Sequence, residues 1–480
     1  MDLKRVKIGF VPTRRNLFSS DAAVEYADLT RNKLEEIGVN FVDIDDINED
    51  GLLYDDEGVN KIYRKFKEEN IDGIFIANEN FGTEYAVARL ASKFDVPVLL
   101  WGPKDERPSK EGTRQRDTQC GLFAIGKVLR RFNVKFTYIK NSDIDSVEFE
   151  RGILDFIKVC NVVKNFKKTR ILQIGPRPFD FWSVIVNEGE LLEKFNISLS
   201  PIPLDELYDE IDSLDDNDDE VQKSIEFFDN NTIVDIEDKD LLLTCKLKVA
   251  IDNLCKRYGC NCGVIQEWNA LHKKLGISAY AALSLLQDEE IPFSCETDIH
   301  GVISQVIINS ATLGENMAML ADVNCRHPED ENGELFQHLG VFPYSLAESK
   351  PKLPKTHFIF DYPGAVEFKA KEGKYTICRF DGDHGKYNLL IGNANSMNGP
   401  YNQGTYLYLK FDNLNRFESK LVYGPYIHHV AALNSDVVNV LYESCKYIGV
   451  EVDLYDPIEE EIKSYWRGDI KWLMKLLIWK

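Results

Sequence analysis

Val6-Lys-Ile-Gly-Phe-Val11, Ile71-Asp-Gly-Ile-Phe-Ile-Ala77 and Pro97-Val-Leu-Leu-Trp101 are short, nearly continuous apolar runs, and the stretches between them repeat with helical spacing. Such runs read as strands buried on both faces. Phe41–Ile44 adds a strand, and Asp21–Glu36, Val59–Glu68 and Glu84–Lys93 read as helices. Strands alternating with helices predict a parallel sheet covered on both sides. Working outward, the basic helical stretch Lys164–Thr169 gives way to a fresh strand, Arg170–Ile174, where the pattern restarts. Beyond Lys350-Pro-Lys-Leu-Pro354 the texture changes to short alternating runs, Thr376–Phe380, Tyr387–Ile391 and Tyr406–Phe411, separated by Gly, Asn and Asp. The chain therefore reads as two Rossmann-like parallel-sheet α/β domains, 1–168 and 169–350, followed by a C-terminal antiparallel β-barrel-like domain, 351–480.

Composition narrows the function. Of 480 residues 44% are apolar and 28% charged, the balance of a soluble globular chain. A net charge of −22, from 79 acidic and 57 basic side chains, repels phosphate backbones and argues against a nucleic-acid partner. No run of about 18 apolar residues predicts a membrane span. The first residues read as a strand rather than a leader, and ten scattered cysteines form no framework, so a cytoplasmic location with reduced thiols is expected. Cys260-Asn-Cys262 lacks a second Cys/His pair for zinc. The acidic run Asp205–Glu220 reads as a solvated surface.

Ligands of open parallel sheets bind beyond the carboxyl ends of the strands, so acids directly after apolar runs draw attention. Ile291-Pro-Phe-Ser-Cys295 runs into Glu296, with Thr297-Asp298-Ile299-His300-Gly301 opening a helix, and Met317-Ala-Met-Leu-Ala321 runs into Asp322. Two consecutive strand–helix units would bring both carboxylates to one sheet edge. There they suit a hard divalent cation or proton exchange, or they merely cap helices. Tyr423-Gly-Pro-Tyr-Ile-His428-His429-Val-Ala-Ala432 adds imidazole. Adjacent histidines on an extended segment face opposite ways, so at most one is expected in a given site. One imidazole with two carboxylates makes a three-ligand set for manganese or a similar ion, with positions left open for substrate oxygens.

Glu296 with Asp298-Ile-x-Gly301, Asp322 after a strand, and His429-Val-Ala after a glycine-proline turn resemble L-fucose isomerase. Lys7-Ile-Gly-Phe10, Asn80-Phe-Gly-Thr-Glu84, Val98-Leu-Leu-Trp-Gly-Pro103, Gln266-Glu-Trp268 and Leu335-Phe-Gln-His338 are similar to the wider L-fucose/L-arabinose isomerase family. The resemblance implies a ketol isomerase, interconverting an L-fucose- or L-arabinose-like aldose and its ketose through an ene-diol. It implies Glu296, Asp322 and His429 as ligands of Mn2+, or of Mg2+ or Co2+, with the two carboxylates exchanging substrate protons in an order left open. It further implies a sugar pocket lined by Gln266 and Trp268, each of which also reads as core packing. His338 resembles a metal-ligand histidine of arabinose isomerases and is placed with the substrate-binding residues. A homo-oligomer, a hexamer by preference, is implied, with active sites near subunit interfaces. First-domain arginines, Arg14 and Arg15 among them, would reach a neighbour's substrate. Such arginines would suit a phosphorylated or sulfonated sugar. The chain is shorter than L-fucose isomerases after residue 350, and Asn78-Glu-Asn80 lacks their aromatic residue, so the sugar stays open. The rival reading is a non-catalytic cytoplasmic sugar-binding protein on the same scaffold. No G-x-G-x-x-G follows the first strand, which argues against a dinucleotide enzyme.

Overall fold

Strand β1 (Ile8–Thr13) is buried at all six positions and pairs in parallel with β2 (Phe41–Val42) on one side and β3 (Gly73–Asn78) on the other. With β4 (Val98–Trp101) and β5 (Thr137–Tyr138) these form a five-stranded parallel sheet in the order β2-β1-β3-β4-β5. In the computed structural model, residues 2–356, 359 and 361–468 are described. Trp472–Trp479, an apolar stretch of the tail, lies outside the described residues. The sheet and its helices make one compact unit, which among the described residues comprises 2–164, 439–449 and 458–468. Its core joins Val11, Ile74, Ile76, Val98 and Leu100 of the strands to Ile62, Phe66, Leu122 and Ile125 of the helices. The order reverses between β1 and β3, the point at which sheets of this order open a crevice at their carboxyl edge.

The second unit spans residues 165–438 and 450–457. It begins with β6 (Arg170–Ile174), which pairs in parallel with β7 (Ser198–Ile202) and with β9 (Cys262–Ile265); β10 (Phe293–Ser294) completes the sheet beside β9. A small parallel ribbon joins β8 (Ile233–Val234) to β13 (Lys352–Leu353). The chain then leaves α/β alternation. Strands β11 (Met319–Arg326) and β12 (Gly333–His338) pair antiparallel, and β12 pairs with β17 (Thr405–Lys410). Strand β17 pairs with β16 (Lys386–Met397), β16 with β15 (Lys374–Asp383), and β15 with β18 (His429–Leu433), which returns to β11. Six antiparallel strands thus close into a barrel, with β14 (Phe368–Lys369) and β19 (Glu451–Asp456) added in parallel alongside. Closure leaves none of the six with an open edge. The expected parallel-sheet α/β architecture and C-terminal antiparallel barrel are both present.

One expectation is corrected. The strand carrying Asp322 belongs to the barrel and not to a parallel strand–helix unit, so Glu296 and Asp322 do not lie along one sheet edge. They meet because the end of β10 is brought against β11 and β18. Helix Ile299–Ser310, buried at every residue, packs against β9 and β10 of the sheet and against β11, β15 and β18 of the barrel. A helix buried on every face is what a position between two layers produces, and its polar side chains therefore need partners inside the protein. No helix among the described residues is long and apolar enough to cross a membrane.

Candidate active site

Asp322 and His429 are direct partners across the antiparallel β11–β18 ladder, so their side chains leave the same face of the barrel wall side by side. His429 Nε2 lies 3.2 Å from Asp322 Oδ1 and 3.1 Å from Glu296 Oε2. Glu296 comes from the turn after β10, where Glu296 (φ 60°) and Thr297 (φ 56°) both adopt left-handed backbone. Non-glycine residues hold that conformation only where their surroundings enforce it. Here the Glu296 N–H donates to Glu267 Oε2 (2.8 Å), and the Thr297 N–H donates to the Ile265 carbonyl (3.1 Å). The turn so fixed aims the Glu296 carboxylate at the barrel wall.

The cluster is largely buried and negative, with the Asp322 side chain partly open at 24% exposure. Glu267 is fully buried, Glu296 is 6% exposed and His429 fully buried. Burial and the neighbouring Glu296 push the Glu267 carboxyl well up from its ordinary range. For Asp322 burial acts in the same direction, but the imidazoles of His338 and His429 outweigh it and hold the carboxyl down at about 2. Burial disfavours charge on His429 as well, yet the carboxylates of Asp298, Asp322 and Glu296 around the ring raise its pKa well above the ordinary imidazole value. The contacts of His429 Nε2 with Glu296 and Asp322 fall short of hydrogen-bond geometry, so Nε2 and Asp322 Oδ1 are buried without a hydrogen-bond partner. Converging buried donors of this kind, two carboxylates and one imidazole, suit a hard-to-borderline divalent cation. Among the described residues the groups that come within 4.8 Å of one another are Glu296 with His338 and His429, and Asp322 with His428 and His429.

His338 reaches the cluster from β12, with Nε2 3.3 Å from Cys295 Sγ and 4.0 Å from Asp322 Oδ1. Its Nδ1 accepts the Leu339 N–H at 2.8 Å, so in the neutral ring the proton sits on Nε2. His338 therefore presents an N–H to the site, the form that donates to a substrate oxygen rather than one that ligates metal. His428 corrects the alternation argument. It precedes the first residue of β18, is not bound by the pleat, and its Nε2 lies 4.0 Å from the same Asp322 oxygen as the Nε2 of His429.

Trp268 forms a wall by stacking on Phe181, with ring centroids 5.8 Å apart and planes 9° apart; Phe181 in turn covers His428 and meets His429 edge-on at 5.4 Å. Gln266 lies at the end of β9 beside Gly175, where any Cβ would come within 3.2 Å of its side chain. Arg14 and Arg15 belong to the first unit, in the loop after β1. Arg14 Nε donates to Asp50 (2.6 Å), and Arg15 pairs with Glu84 and lines a cleft of about 470 Å³ with Tyr54 and Tyr85.

Three residues of this site, Glu267, Asp298 and Phe181, and Arg177 on the loop that carries Phe181, escaped the sequence reading. Glu267 follows an apolar strand run, the very signal that found Glu296, but sits between Gln266 and Trp268, which drew the attention. Asp298 was noted only as part of a motif. Phe181 and Arg177 lie in an irregular loop without periodicity. Arg177 Nη1 donates to the carbonyls of Pro178, Phe179 and Phe181, and among the described residues no carboxylate pairs with it.

Comparison with known proteins fits this architecture. Residues 9–167 match the family described as fucose/sulfoquinovose isomerase, N-terminal domain. Sulfoquinovose isomerases of Priestia aryabhattai and Priestia megaterium are each 24% identical over 462 residues, covering 94% of this chain and 100% of theirs. The sulfoquinovose isomerase of Alkalicoccus urumqiensis is 24% identical over 335 residues, 68% of this chain and 73% of its own. A galactofuranose binding protein of known structure aligns with 64% of this chain and 89% of its own at 11% identity, but its TM-score of 0.15 is too low to bear on the fold. A matching N-terminal domain and relatives aligned over nearly the whole length make this chain similar to the fucose isomerase-like proteins.

Proposed function

We propose that this chain is an aldose–ketose isomerase of a sulfonated sugar such as sulfoquinovose, with a divalent cation, manganese by preference, held by Glu296, Asp322 and His429. The observation that carries the reading is the convergence of those three side chains, from a sheet turn and one barrel rung, with buried Nε2 and Oδ1 atoms left without partners. The names of the relatives support the substrate class. Chemistry within the second unit agrees. The cluster's carboxylates would repel an anionic sugar, and Arg177, with no carboxylate partner among the described residues, supplies a cation on the loop that carries Phe181. This departs from the L-fucose- or L-arabinose-like substrate that the family resemblance alone implied.

A cation at this site would polarise the sugar's carbonyl and hydroxyl oxygens and acidify the proton between them. The chain's own groups do the rest. One of Glu296 and Asp322 takes the C2 proton and returns it at C1, while the other passes the hydroxyl proton between O1 and O2. His338 Nε2–H donates to a substrate oxygen. Phe181 and Trp268 exclude water and back the apolar face of the sugar. Glu267 holds the turn that aims Glu296. The same reading carries a cytoplasmic homo-oligomer, a hexamer by preference, with Arg14 and Arg15 available to substrate.

The test is ketose formation from sulfoquinovose, L-fucose and L-arabinose, with Mn2+ or with a chelator, beside Glu296→Gln. Turnover of the sulfonated sugar that falls by at least about 10³-fold on chelation or in the variant is expected, since both remove the group that stabilises the transition state. Metal-independent sugar binding without turnover would replace the enzyme by a binding protein.

A further inference from the structure

From His429 a chain of buried charges runs away from the cluster. His429 Nδ1 lies 3.0 Å from Asp298 Oδ2. Arg379 grips both oxygens of Asp298 with its two terminal nitrogens, Nη2 to Oδ1 at 3.0 Å, and donates from Nε to Asp381 Oδ2 at 2.9 Å. Asp381 Oδ1 ends the chain on His300 Nδ1 at 2.7 Å. Arg379 and Asp298 are both fully buried, and Asp381 and His300 nearly so. Asp298 also caps helix Ile299–Ser310, accepting the Gly301 N–H at 3.0 Å. Its carboxylate thus has three anchors besides His429, two from one guanidinium and one from the helix N-terminus.

Gly301 is what lets the carboxylate sit there. A Cβ at position 301 would lie 2.3 Å from Asp298 Oδ2 and 3.2 Å from Leu320 Cδ1. The oxygen it would strike is the one facing His429 Nδ1. Because Asp298 is pinned by Arg379 and by the helix N-terminus, it cannot swing aside without breaking one of these contacts. The spacing Asp298-Ile-His-Gly301 therefore has a steric cause.

We infer that Asp298, clamped by Arg379 and given room by Gly301, is the positioning residue of the metal centre. Its carboxylate accepts the hydrogen bond of His429 Nδ1–H, which fixes the ring plane and leaves the Nε2 lone pair facing Glu296 and Asp322. Carboxylates that hold a metal-ligand imidazole by its other nitrogen commonly raise metal affinity about 10–100-fold. The inference rests on the metal reading proposed above, and the experiment separates the two.

Mn2+ affinity is measured by isothermal titration calorimetry on the full chain, wild type beside Glu296→Gln, Gly301→Ala, Arg379→Met and Arg379→Lys. The wild type binds and Glu296→Gln does not. Gly301→Ala, which removes no charge and no ligand, and Arg379→Met each weaken binding by about tenfold or more, while Arg379→Lys recovers part of the loss. Thermal melts identify any variant that fails to fold, so that only folded variants are compared. Nitrogen-15 NMR of histidine-labelled wild type, assigned with His429→Gln, needs no folded variant at 301 or 379. It finds the His429 proton on Nδ1, with Nε2 as the nitrogen that shifts on adding Zn2+. Wild-type binding that Glu296→Gln abolishes but Gly301→Ala and Arg379→Met leave unchanged overturns the role of Asp298 and spares the metal centre. A bare His429 Nδ1 overturns it as well. Failure of the wild type to bind Mn2+ overturns both.

Discussion

Replacing Glu79 by glutamine should make the first unit progressively more stable than wild type as the pH rises. Glu79 follows β3, is fully buried, and neither of its carboxylate oxygens has a hydrogen-bond partner. Burial lifts its pKa from the ordinary 4.5 to about 8, against the pull of Thr30, Arg116 and Arg31. Below pH 4.5 the carboxyl is protonated in both folded and unfolded chains and contributes no pH dependence. Between pH 4.5 and 8 the unfolded chain has released the proton while the folded chain retains it, so stability falls by ~1.4 kcal/mol per pH unit. Above pH 8 the loss is complete, at about 5 kcal/mol. Glutamine keeps the shape and cannot ionise, so the variant lacks this slope. The assay is urea unfolding at pH 5, 6.5, 8 and 9, with pulse proteolysis reporting the intact fraction of residues 1–164. Wild type and variant should diverge steadily from pH 5 and run parallel above pH 8. Parallel curves over the whole range, or a variant that loses ground as the pH rises, would refute the argument.

Phe181→Ala removes the ring that stacks on Trp268 and covers His428; KM should rise roughly three- to tenfold with a smaller change in kcat, matching the worth of one aromatic contact. In steady-state assays Arg177→Gln should raise KM for a sulfonated sugar about tenfold or more and leave a neutral aldose unaffected, as loss of one charge-assisted contact requires; equal effects on both sugars count against an anion-binding role. Glu267→Gln retains an acceptor for the Glu296 N–H, whereas Glu267→Leu strands that buried donor at a cost of about 1–3 kcal/mol. Thermal melting should therefore separate the two, leucine lower, and leucine should lose more turnover.

Local pattern accounts for what was legible in the sequence. Arg170–Ile174 was bounded correctly because a buried parallel strand is a solid apolar run between breakers. Helices Ser20–Ile37 and Asp56–Glu69 show the apolar spacing of helices packed on one side. The barrel runs around Thr376, Tyr387 and Tyr406 declared themselves by alternation. What stayed hidden is long-range pairing. That Asp322 lies opposite His429 depends on the register of two strands about a hundred residues apart, and no local signal sets it. Arg379 interrupts an apolar run, which alone does not say what it grips. Glu296, Asp322 and His429 were identifiable as chemistry, but the assembly that brings them together was misread as a sheet edge.

The Asp322–His429 rung belongs to a ring of strands with no free end. In an open sheet a strand slipping by one residue turns its side chains to the opposite face and merely reshapes an edge. Inside a ring, slippage at one seam has to be absorbed by every other seam at once. These two side chains therefore keep a fixed spacing, while Glu296, on a turn outside the ring, is free to vary through the loops that hold it. Substitutions and insertions in those loops are the route by which relatives of this chain can retune the site without disturbing its fixed half.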